Sequence, residues 1–374
     1  MVGGGQLSRM SAQAAISLGV KFAVLATSAE ESAAQVAAQV FLGEHTDLAS
    51  MRSLAQATDV VTFDHEHVPG ALLEQLIDEG FNIQPNPNAL QYAQDKVLMR
   101  QKLEQLGVAQ PDFRVIRNVE EAAAFADQYG FPIVLKISRG GYDGRGVWVC
   151  QNRSDIEVVL SQKFNHEFQW LSEEYIPFSR ELAAQVARSV EGQMVTYPVV
   201  ESRQVEGMCS LVIAPAPNLD DKVAIDAQQL AMTIADSIGV TGMLAVEMFE
   251  SSRGILVNEL AMRPHNSGHW TIDGATTSQF ENHLRAVLNL PLGDPTPTST
   301  WTVMVNIIGG KYPDMYAAYK HCFARDPGLK VHLYGKEVRP GRKVGHVSVC
   351  SDELDDALRR AQHAADYFMG VIEE

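Results

Sequence analysis

Short apolar runs alternate with helical patterns over the first quarter of the chain. Lys21–Ala26 and Asp59–Phe63 are apolar runs of strand length, and helical spacing precedes the first run and fills Gly70–Gly80. Strands that alternate with helices are typical of a parallel sheet with crossover helices. The Asn-Pro-Asn sequence around Pro87 then predicts a linker, which is followed by a long polar helix over Ala89–Leu106.

Strands predominate from Pro111 onward. The elements expected there are, in order, a helix at Val119–Tyr129, strands at Ile133–Ile137, Val147–Cys150, Phe168–Tyr175, Glu181–Ser189, Thr196–Val200 and Met208–Ile213, a helix at Asp220–Ile238, strands at Met243–Glu250 and Ile255–Leu260, a linker at Asp294–Ser299, strands at Trp301–Ile308 and Gly345–Val349, and a helix at Glu353–Met369. The pattern therefore predicts three pieces, each α/β or α+β.

The charge balance excludes some classes of partner. With 30 Lys and Arg against 46 Asp and Glu, the 374 residues carry a formal net charge of −16, which argues against a basic nucleic-acid binder or a polybasic membrane-surface protein. The four cysteines form no C-x-x-C pair, and no apolar run approaches the length of a membrane span. We expect a cytoplasmic protein with no nucleic-acid or membrane partner.

The first glycine cluster, Gly3–Gly5, lies between a very short apolar run and a helix. Such a turn can hold a dinucleotide phosphate at a helix N-terminus. The spacing is not G-x-G-x-x-G, however, and no acidic residue ends the second strand, where Ala26-Thr27-Ser28 stands. An NAD-dependent oxidoreductase and a plain tight turn both stay open, and the oxidoreductase ranks last.

The second glycine cluster, Arg139–Gly146, joins two predicted strands. A Walker loop must open a helix, so this position excludes one. A flexible flap between antiparallel strands can fold over phosphates, with Lys136 supplying positive charge from the preceding strand. An ordinary hairpin loop is the alternative.

Glu247 and Glu259 lie within apolar strands, where a charged side chain is unfavourable unless it has a partner or a function. A three-residue turn at Ser252–Gly254 would set Glu247 directly opposite Glu259, with the Cβ atoms about 5 Å apart. Two such carboxylates suit Mg²⁺ beside ATP phosphates. A four-residue turn would remove this pairing, and two solvated edge glutamates are the alternative.

Three further segments carry candidate chemistry. Consecutive donors in Arg263–His269 suit an oxyanion such as bicarbonate or phosphate, and a zinc site from His265 and His269 is disfavoured. Glu66 follows a predicted strand at the ligand-binding edge of the first sheet and is a candidate contact to a substrate amine, with a helix cap as the alternative. The basic loop Lys336–Lys343 favours phosphate binding over a solvated charged loop.

Together these motifs resemble those of the ATP-grasp carboxylate–amine ligases, and most closely the ATP-dependent carboxylases of purine biosynthesis. The matching stretches are Gly3–Met10, Asp64–Pro69, Arg139–Gly146, Tyr197–Val200, Ala245–Phe249, Asn258–His269, Thr276–Leu292 and Tyr334–Val347. The resemblance implies an ATP-grasp fold with an N-terminal, biotin-carboxylase-like parallel-sheet domain at 1–94, an ATP-grasp domain at 95–296 that includes a small lid at about 112–174, and a small β-rich C-terminal domain at 297–374.

The resemblance also implies the reaction. The family forms carboxyphosphate from ATP and bicarbonate and passes the carboxyl group to the amine of aminoimidazole ribonucleotide. A ligase that uses formate on glycinamide ribonucleotide is the alternative within the superfamily, and a catalytically silent nucleotide sensor is another. A homodimer is expected from the resemblance alone.

Site residues carry over by motif. The residues implied for ATP are Lys96, Lys136, Gly141, Tyr142, Asp143, Gly144, Arg145, Gly146, Val147, Glu173, Glu174, Tyr175, Ile176, Glu181, Asn258 and Glu259. Those implied for the ribonucleotide or bicarbonate are Gln6, Glu66, His265, Asn266, Ser267, Lys336, Arg339, Arg342 and Lys343. The catalytic set is Tyr142, Asp143, Arg145, Arg263 and Glu66, and Glu247 with Glu259 would hold Mg²⁺.

The sequence departs from the family pattern at two positions. Only two residues precede Gly3, where relatives have several apolar residues, so we expect a short start and a weakened edge of the first sheet. Gln204 stands where many relatives have a histidine near ATP, and it is left out of the predicted site.

Overall fold

The computed structural model describes residues 1–141, 144–164 and 167–373. The N-terminal piece contains α1 (Gln6–Ser17), β1 (Ala23–Ala26), β2 (Gln39–Leu42), α2 (Leu48–Gln56) and α3 (Gly70–Asp78). Strands β1 and β2 pair in parallel, as the alternating pattern predicts. The predicted strand at Asp59–Phe63 forms only single bridges. Strand β2 was not predicted, because its apolar run has only three residues and its side chains are half-buried or exposed.

The expectation of a weakened sheet edge at the N-terminus is wrong. Val2 forms parallel bridges to both Leu25 and Phe63, so it lies between them in the interior of the sheet. Its N–H donates to the carbonyl of Thr62 at 2.7 Å, and the N–H of Gly3 donates to that of Leu25 at 2.9 Å. The two residues before Gly3 therefore supply backbone contacts in the middle of the first sheet.

The predicted long helix Ala89–Leu106 is two helices, α4 (Pro87–Gln94) and α5 (Lys96–Gln105). Asp95 separates them with extended backbone, and its side chain accepts hydrogen bonds from the N–H groups of Val97 and Leu98. Aspartate is a strong N-cap residue, so the break starts a new helix with Lys96 as its first residue. Polar composition alone did not reveal this break.

A four-stranded antiparallel sheet follows, in the order β3-β6-β4-β5. Its elements are β3 (Phe113–Ile116), α6 (Val119–Tyr129), β4 (Ile133–Ile137), β5 (Val147–Cys150), α7 (Arg153–Leu160) and β6 (Trp170–Glu174). Strands β4 and β5 flank the second glycine cluster, and they pair from Ile133↔Cys150 to Lys136↔Val147. The cluster is therefore the connection of a β-hairpin, as the sequence predicts.

The remaining strands form one nine-stranded sheet, in the order β12-β11-β7-β9-β10-β13-β15-β14 with β8 on β7. The elements are β7 (Phe178–Arg188), β8 (Met194–Thr196), β9 (Val200–Val205), β10 (Met208–Ala214), α8 (Asp221–Ile238), β11 (Gly242–Ser251), β12 (Gly254–Ala261), α9 (Thr271–Gly274), α10 (Gln279–Val287), β13 (Trp301–Ile308), α11 (Ala318–Arg325), β14 (Lys330–Leu333), β15 (Lys343–Ser351) and α12 (Leu354–Met369). The C-terminal strands thus extend the central sheet through the β10–β13 pairing.

One hydrophobic core joins the first sheet to the central one. Leu25 and Phe63 belong to the same buried cluster as Met99 of α5 and Leu244 of β11. Burying these side chains together fixes the carboxyl edge of the first sheet relative to the central strands. Within the described part of the chain, no helix combines the length and hydropathy needed to cross a membrane.

Candidate active site

A cavity of about 1060 Å³ opens between the three sheets. The predicted site residues that line it are Gln6, Glu66, Lys96, Lys136, Gly141, Gly144, Arg145, Val147, Glu173, Glu174, Tyr175, Ile176, Glu181, Glu247, Asn258, Glu259, Arg263, His265, Asn266 and Lys343. The predicted residues within the described ranges that do not line it are Gly146, Ser267, Lys336, Arg339 and Arg342. Tyr142 and Asp143 lie outside the described residues.

The two strand glutamates are directly opposed, but the predicted turn is wrong. Ser251 pairs with Gly254, so the connection has two residues instead of three. The register then shifts by one between Glu247 and Met248, which pair with Glu259 and Val257. The extra residue is Asn258, a β-bulge that restores the predicted pairing and adds an amide beside the two carboxylates.

A lysine and a histidine side chain contact the two carboxylates. Lys96 Nζ lies 2.5 Å from Glu259 Oε1, and His265 Nε2 lies 3.1 Å from Glu247 Oε1. Desolvation acts to raise the pKa of Glu259, but the nearby Lys96 outweighs it and the pKa is lowered. Glu259 therefore stays ionised at neutral pH.

The donors at this hairpin fit Mg²⁺. Two carboxylates and the Asn258 amide oxygen are hard oxygen ligands. Burial, and then the charge of Glu247, raises the pKa of Glu181 to about 7. No group of three or more His, Cys, Asp and Glu among the described residues could hold a metal ion, so Mg²⁺ would take further ligands from phosphate and water.

A buried ion network positions the second cavity lysine. Glu173 Oε1 accepts from Arg100 Nε at 2.7 Å, and Glu173 Oε2 lies 2.7 Å from Lys136 Nζ. The side chains of Arg100 and Glu173 are 0% and 2% exposed. Lys136 also donates to Asn258 Oδ1 at 3.2 Å, so the network connects β4, β6 and the β12 bulge. The Glu173 side chain thus holds Lys136 in place.

The glycine flap is anchored at its base and contacts a turn near its tip. Arg139 Nε donates to Asp95 Oδ2 at 2.7 Å, and the N–H of Lys96 donates to the carbonyl of Ser138 at 2.9 Å. Gly144 has φ +75°, and a Cβ there would lie 2.9 Å from the Cα of Gly207. Glycine is therefore required at position 144, both for its backbone conformation and for the close approach to the β9–β10 turn.

One end of the cavity is apolar. Phe178 and Phe249 stack with ring centroids 4.6 Å apart, and both line the cavity. Val134, Val149 and Ile176 line it as well. A flat apolar slot of this kind suits an aromatic base, and Lys96 and Lys136 line the same cavity.

The other end carries an acid–arginine pair. Arg263 Nε lies 2.9 Å from Glu66 Oε1, which joins the loop after β12 to the edge of the first sheet. Gln94 Nε2 donates to the carbonyl of Glu66 at 2.8 Å and fixes that loop. Glu66 and Arg263, both predicted as site residues, therefore contact each other at the edge of the first sheet, where ligands bind in open α/β sheets.

The disfavoured zinc site at His265 and His269 has no support among the described residues. Gln279 binds the main-chain N–H and carbonyl of His265 through its side-chain amide and also contacts His269 Nδ1 at 3.2 Å. His265 Nδ1 lies 2.8 Å from Ser267 Oγ. The Nδ1 atoms of both imidazoles therefore contact neighbouring side chains.

The basic loop divides into residues that do and do not reach the cavity. Lys343 lines the cavity, and Lys336 donates to the cavity residue Gln6. Arg339 pairs with Glu337 at 2.5 Å, and Arg342 NH1 donates to the Glu337 carbonyl at 3.3 Å. The predicted phosphate role is thus supported by position for Lys343, while Arg339 and Arg342 contact their own loop.

The first glycine cluster does not present a free phosphate site. Asp64 Oδ2 accepts from the N–H of Gly5, the residue before α1, at 2.8 Å. A Cβ at Gly3 would lie 1.7 Å from Asp64 Oδ1, and one at Gly4 would lie 1.9 Å from Glu31 Oε2. The glycines therefore make room for carboxylates, which repel a pyrophosphate, and the dinucleotide interpretation is wrong on physical grounds.

Asp64 predicts a measurable pH effect on stability. Burial raises its pKa from 3.8 to about 6. Its protonated form favours the folded state, so this contribution is fully present below pH 3.8 and is lost as the pH rises through 6. Relative to Asp64→Asn, the wild type should lose about 2 kcal/mol of unfolding free energy between pH 4 and pH 7. Urea unfolding of both proteins across that range measures the difference, and parallel curves would contradict it.

Family models match three consecutive stretches of the chain. They describe a ribonucleotide synthetase preATP-grasp domain at residues 1–94, an ATP-grasp domain at 101–280 and a phosphoribosylaminoimidazole carboxylase C-terminal domain at 302–360. The N5-carboxyaminoimidazole ribonucleotide synthase of Mycobacterium tuberculosis strain H37Rv is 52% identical over 371 residues, covering 98% of this chain and 86% of the relative. The enzyme of that name from Corynebacterium ammoniagenes is 43% identical and covers 99% and 92%.

The chain belongs to the N5-carboxyaminoimidazole ribonucleotide synthase family.

Solved structures of this synthase family agree with the fold. The Aspergillus clavatus enzyme in complex with ADP and 5-aminoimidazole ribonucleotide has a TM-score of 0.89 at 33% identity, with 98% of each chain covered. The Thermus thermophilus enzyme has a TM-score of 0.86 at 34% identity, covering 100% of this chain and 99% of that one. The ATP-grasp fold, and an ADP-forming carbon–nitrogen ligase activity, are therefore confirmed, and the oxidoreductase and formate-ligase alternatives fall away.

Sequence reasoning missed several residues that build this synthase-family site. Arg100 is a buried residue of α5, and Asp95 is the buried N-cap that precedes this helix. Their side chains bind Glu173 and Arg139, respectively. An arginine on an otherwise ordinary polar helix gives no sign of burial. The unexpected Asp95 between two helical stretches was the one available signal, as an N-cap.

Proposed function

We propose that this chain carboxylates the amine of 5-aminoimidazole ribonucleotide, using ATP and bicarbonate, by way of carboxyphosphate. One observation carries the proposal. A single cavity is lined by Lys96 and Lys136 with the opposed glutamates, and also by the Glu66–Arg263 pair at the edge of the first sheet. A nucleotide and an amine substrate can therefore bind in the same cavity, and the relatives' names and complexes point to the same chemistry.

The chemistry has two steps. A bicarbonate oxygen attacks the γ-phosphorus of ATP, the bond from that phosphorus to the β–γ bridging oxygen breaks, and ADP leaves with the electron pair. The substrate amine then attacks the carboxyl carbon, the C–O bond to the phosphate breaks, and inorganic phosphate leaves while the amine loses one proton. Both steps gather negative charge on phosphate oxygens, which Lys96 and Lys136 are placed to stabilise.

The binding roles follow from position in the cavity. Glu247, Asn258 and Glu259 would hold Mg²⁺, which supplies charge neutralisation between the phosphates. The apolar slot around Phe249 would take adenine, and Glu181 would meet the ribose. At the opposite end, Arg263 offers a planar donor pair to bicarbonate, and Glu66 orients that guanidinium.

Substrate omission tests this function. Phosphate release from ATP should require both bicarbonate and aminoimidazole ribonucleotide, and replacing them with formate and glycinamide ribonucleotide should give no turnover. Phosphate release that is unaffected by either omission would refute the proposal.

Two finer expectations belong to the same proposal. The resemblance supports a cytoplasmic location and a homodimer. Size-exclusion chromatography with light scattering measures the second, and a monomer across the working concentration range would contradict it.

A further inference from the structure

A pair of asparagine side chains joins the C-terminal strand β13 to the loop that follows β12. Asn306 Nδ2 donates to Asn266 Oδ1 at 2.7 Å, and Asn266 Nδ2 donates back to Asn306 Oδ1 at 3.3 Å. Asn306 is only 2% exposed, whereas Asn266 lines the cavity. The buried asparagine therefore supports one that lines the cavity.

A main-chain carbonyl sets the orientation of Asn306. The register of β10 against β9 shifts between Cys209 and Leu211, which interrupts the ladder at this point. Asn306 Nδ2 donates to the Cys209 carbonyl oxygen at 2.8 Å. Because a carbonyl oxygen only accepts, the atom of Asn306 that faces it must be the amide nitrogen.

The orientation of the Asn306 amide determines that of Asn266. The same nitrogen of Asn306 faces Asn266, so the atom it meets there must be the amide oxygen. The Asn266 nitrogen then has two N–H donors, of which one goes to Asn306. Among the described residues no acceptor takes the other one, so it is available to the cavity that Asn266 lines.

We propose that Asn306 is a positioning residue that makes Asn266 a hydrogen-bond donor to an oxygen acceptor of the bound ribonucleotide. Lys343 lines the same cavity, which favours an anionic ligand such as a phosphate ester. The inference rests on the proposed function, because it assigns Asn266 to that substrate. Without Asn306, the Asn266 amide can turn and present its carbonyl oxygen, which repels an acceptor.

A double-mutant cycle tests the coupling. Asn306→Ala and Asn266→Ala should each raise the KM for aminoimidazole ribonucleotide about tenfold, the effect of one lost buried hydrogen bond. The KM for ATP should stay within about twofold of wild type, because Lys96 and Lys136 bind Glu259, Asn258 and Glu173 instead of either asparagine of the pair. If Asn306 acts through Asn266, the double variant should be no worse than Asn266→Ala alone.

Two further variants separate positioning from folding. Thr302 lies on the same strand and is 1% exposed, but it does not line the cavity, so Thr302→Val should leave the KM for the ribonucleotide unchanged. Asn306→Asp keeps the side-chain volume but cannot donate, so it should raise that KM, and it replaces the alanine variant in the cycle if the latter does not fold.

Each outcome decides a different question. Multiplicative effects, with the double variant about a hundredfold worse than wild type, would overturn the role of Asn306 while leaving the proposed function intact. A wild-type KM in Asn306→Asp would overturn it too. A wild-type enzyme whose turnover does not need the ribonucleotide would overturn the proposed function and this inference together.

Discussion

Glu259→Gln should lower kcat/KM for ATP by about 10³-fold with little change in fold. The substitution removes the charge that pairs with Lys96 at 2.5 Å and one of two opposed carboxylates. Lys96 would then be held less firmly, and a magnesium–phosphate complex would lose an anionic ligand. Steady-state phosphate release at several Mg²⁺ concentrations measures the loss, which excess Mg²⁺ should only partly restore.

Glu250→Gln is the matched control on the same hairpin. Glu250 pairs with Arg180 at 2.6 Å and does not line the cavity. Its removal should leave kcat/KM within about twofold, because it acts on strand packing alone. Equal losses in the two variants, or full activity in Glu259→Gln, would contradict the assignment of the opposed glutamates to the phosphate end.

Glu173→Gln should lower the free energy of unfolding by about 3–5 kcal/mol. Its side chain is 2% exposed, between Arg100 and Lys136, and removing the carboxylate leaves two buried cations without their anion. These cations hold the pKa of Glu173 at about 2 despite burial. The stabilisation is therefore present above pH 4.5 and is lost as the pH falls toward 2.

The neighbouring glutamate provides the comparison for this second effect. Glu174 pairs with Arg253, whose side chain is 49% exposed, so Glu174→Gln should cost less than about 1 kcal/mol. Urea unfolding of both variants at pH 7 measures the difference. Similar small changes would show that the buried network contributes little to stability.

The sequence predicted strands best where apolar residues form short, clearly bounded runs. Ile133–Ile137, Val147–Cys150 and Trp301–Ile308 have the predicted limits, because polar or turn-forming residues bound each apolar run. Strand β2 has only a three-residue apolar run with half-buried or exposed side chains, and it was missed. The break at Asp95 was missed because one long polar helix and two consecutive polar helices have the same sequence pattern, unless Asp95 is recognised as an N-cap.

The site was predicted where a motif carries its own chemistry and missed where contacts are long-range. The opposed glutamates follow from hairpin register, although the bulge at Asn258 was needed to produce it. Arg100 and Asn306 act through partners 73 and 40 residues away in the chain. No local pattern encodes such pairings, since they depend on how separate sheets pack.

The central claim is that a bicarbonate oxygen attacks the γ-phosphorus of ATP within this cavity. Turnover with ¹⁸O-labelled bicarbonate, ATP and aminoimidazole ribonucleotide should place one labelled oxygen in each inorganic phosphate released, because the C–O bond breaks in the second step. Phosphate that is free of label during active carboxylation would contradict the account.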